Sequence, residues 1–199
     1  MEHLLRCACG TVAGTVTVAH PIGRAICYCR DCQSYAHVLN KAAEILDGDG
    51  GSDVAPTVQG ALHFHQGREA IACLSLTEGG LLRWYARCCS TPIGNTARNY
   101  RMAYVGLLHS CLEHSAASLD SAFGRVSVRI NTEWAKRPVS GTPFAAVAFI
   151  ARLGPRLLQT RLRGTYRQSP FFTSSGQPIA RVRVLTSEEL EKARADVLG

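Results

Sequence analysis

Leu81-Leu82-Arg83-Trp84-Tyr85-Ala86-Arg87-Cys88-Cys89-Ser90-Thr91-Pro92-Ile93-Gly94 reads as a strand over 81–86 that runs into two adjacent cysteines and then a segment whose proline and glycine suit a tight turn. Partners for that pair stand near the start of the chain, in Cys7-Ala8-Cys9-Gly10. In extended chain, residues two apart point to the same side, so Cys7 and Cys9 can present both sulfurs to one metal, while Gly10 lets the backbone turn behind them. A four-sulfur zinc site drawn from Cys7, Cys9, Cys88 and Cys89 would staple the N-terminal edge to the strand region. Such a closed site is structural, because four protein ligands leave no position for a substrate. Its binding energy, of order 10 kcal/mol in small zinc modules, becomes folding energy.

A second cluster, Cys27-Tyr28-Cys29-Arg30-Asp31-Cys32, is denser. Three thiolates within six residues can grip one face of a zinc ion, and the local sequence offers no obvious fourth ligand. The expectation is an open coordination position, where a small thiol, water or carbonyl oxygen can bind and be activated. His37 is near enough in sequence to be weighed as a fourth ligand, but in a helix we read it as a surface or packed residue.

The rest of the chain constrains what these clusters serve. With 199 residues, 46% hydrophobic and 19% charged, it can bury a sizeable core and fits one domain with extensions. Met1-Glu2-His3 leads into Cys7 without a secretory pattern, and no apolar run reaches the roughly 20 residues that cross a bilayer. We therefore expect a cytoplasmic protein without a transmembrane segment. In a reducing cytosol its nine cysteines are better metal ligands than disulfides. A net charge of +7 and a pI of 9.1 invite a nucleic-acid partner, yet the arginines are scattered, with a mild concentration at Arg152, Arg156, Arg161, Arg163 and Arg167. We favour a solvated basic face over nucleic-acid binding.

Strands are expected over 11–18, 25–27, 62–65, 70–76 and 81–86, a short helix over 32–39, and a loop over 47–53. From Leu107 to Phe123 the pattern is more helical. The apolar run within 143–162 is too short to span a membrane, and packing against its own domain is the expected fate. A strand over 179–184 precedes a closing helix to about Asp196 that Thr186 or Ser187 can cap.

The three cysteine motifs, in the order Cys7-Ala8-Cys9-Gly10, Cys27-Tyr28-Cys29-Arg30-Asp31-Cys32 and Trp84-Tyr85-Ala86-Arg87-Cys88-Cys89-Ser90-Thr91-Pro92-Ile93, resemble the glutathione-dependent formaldehyde-activating family, which includes centromere protein V-like proteins. The likeness implies a mainly β, Mss4-like zinc fold, which we place over 1–106, with a partly helical extension over 107–199 packed on it as one domain. It also implies two zinc ions: a structural one on the first and last cysteine groups, and one on Cys27, Cys29 and Cys32, where the thiol of glutathione acts. One departure matters. The family's last motif, C-x-x-C-G, would put a cysteine at Ala86 and a glycine at Ser90. Adjacent residues in extended chain point opposite ways, so Cys88 and Cys89 reach one metal only if the backbone kinks between them. We expect the kink; a three-cysteine site with an unidentified fourth ligand is the alternative.

The remaining candidates have plainer readings. Cys73 and Cys111 read as small core hydrophobes, His63 and His65 as a solvent-facing pair on a strand, and Trp84 with Tyr85 as packing beneath the first zinc site. Arg30, Arg87, Arg98 and Arg101 flank the motifs and suit the carboxylates of a glutathione-like ligand, though arginines beside motifs are common on any basic protein. Two functions compete: a carbon–sulfur lyase acting at the triple on adducts of a small thiol with an aldehyde, and a non-catalytic binding module in which both zincs are structural. An open second site favours the enzyme; a fourth protein ligand favours the module.

Overall fold

The computed structural model describes residues 1–112 and 118–198. It is sheet-rich and mixed, with eleven strands and five α-helices among the described residues. The first half runs β1 (Glu2–Arg6), β2 (Ala13–Thr17), β3 (Arg24–Cys27), α1 (Arg30–Val38), α2 (Ala42–Ile45), β4 (Ser52–Val58), β5 (Leu62–Gln66), β6 (Ile71–Ser75), β7 (Leu82–Ala86) and β8 (Thr91–Thr96). It continues with β9 (Tyr104–Leu108), α3 (Leu119–Phe123), β10 (Val126–Ile130), α4 (Pro143–Leu162), β11 (Val182–Val184) and α5 (Ser187–Leu198).

Strands β1, β2 and β5 form a three-stranded antiparallel sheet, and eight strands form a larger one in the order β10-β3-β4-β9-β8-β7-β6-β11. The side-chain period of two sorts each strand between two environments. On β6, Cys73 enters the core between the sheets with Leu5, Val16 and Trp84, whereas its neighbour Leu74 packs with Tyr35 of α1 and Leu39 at its C-terminal cap. On β4, Ala55 joins the inter-sheet core and Val54 packs with Ala36 and Ile45 on the helical side. Trp84 anchors the inter-sheet core: it stacks on Phe171 at 4.9 Å and donates its indole N–H to Thr96 Oγ1 at 2.9 Å, so its one polar atom is satisfied at full burial.

Both edges of the larger sheet come from the second half of the chain. β10 pairs parallel with β3, Ile130 opposite Cys27, and β11 pairs parallel with β6, Val184 opposite Ser75. Arg24, buried on β3, binds Asp53 of β4 and Asp120 of α3, and thereby ties that edge together.

Several sequence expectations need correction. Residues 104–108 are a strand between β4 and β8; a short apolar run such as Val105-Gly106-Leu107-Leu108 carries no periodicity that separates strand from helix, and its two neighbours decide. Among the described residues, helix in that region is a single 3-10 turn over His109–Cys111 and the short α3, and 113–117 lie outside the described residues. The final strand covers only 182–184. Tyr85 does not share the environment of Trp84; being the next residue on β7 it faces the α1 side. The apolar run at 143–162 forms α4, which packs on its own domain as expected, against β10 and β4 with Leu153 buried, but leaves Phe144, Val147, Leu158 and Leu162 exposed.

Candidate metal centres

Two hairpin loops build the first cluster. The β1–β2 loop carries Cys7 and Cys9, and the β7–β8 loop carries Cys88 and Cys89; the first hairpin belongs to the small sheet and the second to the large one. Gly10 adopts φ +80°, a region with a steric penalty for other residues, and its N–H donates to the Cys7 carbonyl at 2.9 Å. Val12 N–H donates to Cys7 Sγ at 3.2 Å. On the other loop the chain turns, with Cys89 N–H donating to the Ala86 carbonyl and Ser90 at φ 56°, so Cys88 and Cys89 are not in extended chain and both face the cluster. Thr91 ties the loops: its hydroxyl accepts from Ala8 N–H at 3.0 Å and contacts Cys89 Sγ at 3.1 Å.

All four sulfurs lie within 4.8 Å of one another, Cys9 to Cys88 at 3.3 Å and Cys7 to Cys9 at 3.6 Å. Their protons are unequal. Thr11, through its hydroxyl and backbone, holds the Cys9 thiol down at about 6, whereas burial, aided by hydrogen bonding with Cys9, pushes Cys88 up to about 12. Burial likewise raises Cys7.

The second cluster is local. Cys27 ends β3, Cys29 is the N-cap of α1, and Cys32 lies in its first turn, with its N–H donating to Cys29 Sγ at 3.4 Å. A helix N-terminus presents unpaired N–H groups and positive dipole, an environment that favours thiolate. The three sulfurs lie within 4.8 Å of one another, and no further Cys, His, Asp or Glu among the described residues joins them. His37 is five residues beyond Cys32, about 140° around the helix. It lines a groove against α5 instead, with Lys192 and Asp196.

The groups beside this triple were not singled out in the sequence. Arg83 of β7, 3% exposed, places Nη1 3.9 Å from Cys32 Sγ, with Asn95 Oδ1 at 3.4 Å and the Tyr35 ring 5.1 Å from its guanidinium carbon. A lone arginine in the otherwise apolar Leu82-Arg83-Trp84 was the available signal, though nothing in it says what the side chain meets. Asn131, in the left-handed region just after β10, donates Nδ2 to Cys27 Sγ at 3.3 Å; the parallel β10–β3 pairing puts it there. Hydrogen bonds from Cys27 and Cys29 hold the Cys32 thiol well below its ordinary value against burial, and Arg83 adds to this. Cys29 is raised by hydrogen bonding with Cys27 and Cys32 and by burial. Cys27 rises to about 11: hydrogen bonding with Cys29 opposes the change, and that with Cys32 together with burial outweighs it. A divalent cation fits, because it supplies the charge that lets all three sulfurs ionise.

The four arginines that flank the motifs have contacts within the chain. Arg87 donates to the Glu69 carbonyl, Arg98 to those of Gly80 and Thr77, and Arg101 lies over Tyr100. Arg30, on α1, lies over Trp134 at 4.9 Å. Cys73 and Cys111 are buried. His63 and His65 are exposed on β5 with ring centroids 4.7 Å apart, and His65 contacts Thr15.

A family model described as a family of unknown function (DUF6151) matches residues 3–183. No curated protein matches the chain. Among solved structures, a crystal structure of a Rhodobacter sphaeroides protein is similar at 16% identity and a TM-score of 0.43, covering 63% of this chain and 99% of that one.

Proposed function

The chain belongs to the DUF6151 family, whose function is unknown, and from its own two sulfur clusters we propose that it is a zinc protein with a structural four-cysteine site and a thiol-activating three-cysteine site. The observation that carries this reading is the triple: three sulfurs at a helix N-terminus, no fourth ligand among the described residues, and a buried arginine beside them. In the first site Cys7, Cys9, Cys88 and Cys89 hold zinc and join the two sheets. In the second, Cys27, Cys29 and Cys32 hold it; bound there, zinc supplies a Lewis acid that keeps an incoming thiol as thiolate at neutral pH.

This chain's residues do the rest. The end of α1 and Arg83 offset the negative charge of the sulfurs, and Asn131 donates to Cys27. The reaction class we propose is the carbon–sulfur lyase type: the thiol sulfur adds to an aldehyde carbon while the carbonyl oxygen takes up the thiol proton, and the reverse step breaks the carbon–sulfur bond. Glutathione with formaldehyde is the pair implied by the motif resemblance, as is a Mss4-like fold for the zinc-binding part. The rival reading, a zinc-stabilised binding module, requires a fourth protein ligand at the triple.

Metal analysis of purified protein should return two zinc ions and a colourless solution, since an iron–sulfur cluster on four thiolates would be coloured. With cobalt at the second site, glutathione should change the thiolate-to-metal absorption, S-methylglutathione should not, and the Cys29→Ser protein should respond to neither. Acceleration of hydroxymethyl adduct formation over buffer then makes the protein an enzyme. Absence of a spectral change with every small thiol tested would leave the binding module as the better reading.

A further inference from the structure

Helix α4 carries apolar residues on both its inner side, with Phe149 and Leu157 half-buried, and its outer side. Its buried side is represented by Leu153, whereas the solvent side carries Phe144 at 90% exposure, Val147 at 67%, Leu158 at 57% and Leu162 at 78%. At about 100° per residue these four fall, with Ala151 and Pro155, within one sector of about 80° that contains no charged residue. Exposed arginines border it: Arg161 on one side, Arg152 and Arg163 on the other. The charge around the helix is one-sided. From residue 134 to 187 the sequence has no Asp or Glu and nine Lys or Arg, which exceeds the +7 net charge of the whole chain.

We propose that α4 is an interfacial helix that docks its exposed apolar face on an anionic lipid surface, with the bordering arginines at the headgroups. An apolar sector edged by arginines is the pattern of a helix that lies in the plane of a bilayer interface. The arginine stems cover apolar depth while their guanidinium groups stay at the phosphates. The helix does not cross the bilayer, since no helix among the described residues is long and apolar enough. Charge complementarity selects this occupant over two others. In a second copy seated on α4, arginine borders would meet arginine borders with no carboxylate on either helix. A nucleic acid would satisfy the arginines but leave the apolar sector in water.

The test is flotation with vesicles of pure phosphatidylcholine and of two parts phosphatidylcholine to one part phosphatidylserine, at physiological and at high salt. The protein should float with the anionic vesicles, far less with the neutral ones, and less at high salt. Phe144→Ser/Leu158→Ser should lower partitioning at least tenfold. Arg152→Glu/Arg161→Glu should lower it about 25-fold or more, at about fivefold for each arginine lost. All four side chains are exposed, so circular dichroism and zinc content should match those of the unmodified protein, and a variant that fails this control is replaced by Val147→Ser/Leu162→Ser. Failure to float with anionic vesicles, or equal flotation with neutral ones, overturns the proposal. So does a sedimenting dimer that Leu158→Ser dissociates, which would assign the face to a second copy.

Discussion

Arg83 is the residue whose role depends most on its surroundings. It is a buried cation 3.9 Å from Cys32 Sγ, on the helical side of the sheet with Tyr35. Removing the charge leaves the triple without its nearest counter-charge, so Arg83→Ala should weaken zinc at the second site by ten-fold or more, the range typical of groups that support metal ligands. Competition with a chromogenic chelator measures this, and Arg83→Lys should restore part of the affinity while the four-cysteine site is unaffected. The contact with the triple is not legible in the sequence, where Arg83 is one of many arginines and Arg87, not Arg83, was singled out. Strand alternation puts Arg83 and Trp84 on opposite faces, but which face holds the triple is settled by packing. Gly10 was legible: a glycine directly after Cys-x-Cys signals a turn, and its φ of +80° confirms it. A Cβ there would meet nothing within 4 Å, so Gly10→Ala isolates the backbone penalty and should cost about 1 kcal/mol in a denaturant titration.

The closing helix α5 was also readable in the sequence, because its start is a reciprocal cap. Thr186 Oγ1 accepts from Glu189 N–H at 3.2 Å, and the Glu189 carboxylate accepts from Thr186 N–H at 3.0 Å. Thr186→Ala should cost about 1 kcal/mol, seen as faster amide exchange across α5 and a lower denaturation midpoint. Since α5 packs against α1, which carries Cys32 and is capped by Cys29, the same variant should lose zinc from the second site before the first. Strand β9 was not readable, since an apolar run of four residues fits either structure and one of its two partners, β4, lies about 50 residues away. The edge strand β10 was hidden, and β11, though expected as a strand, gave no sign of its partner: parallel pairing links segments far apart in sequence, and nothing local encodes the partner.

Across the whole molecule, the two sulfur clusters differ in what they connect. Cys7 and Cys88 are 81 residues apart on hairpins of different sheets, whereas Cys27 and Cys32 share one short segment. If zinc occupies both, Cys89→Ser should cost on the order of 4 kcal/mol or more, because cross-linking so long a loop restricts the unfolded chain far more than a local chelate does. Cys29→Ser should leave a folded protein with one zinc fewer. Thermal melts with metal analysis decide this, and equal loss of folding in both variants would remove the distinction. The sequence by itself determined the sulfur inventory, the grip of the triple and the α5 cap, because each is set by spacing within a few residues. Only the tertiary structure decided that Cys88 and Cys89 turn to the same side, that Arg83 and Asn131 stand beside the triple, and that α4 keeps an apolar face outside. Those outcomes depend on which distant strands pair and which faces they bury, and short-range spacing carries no record of either.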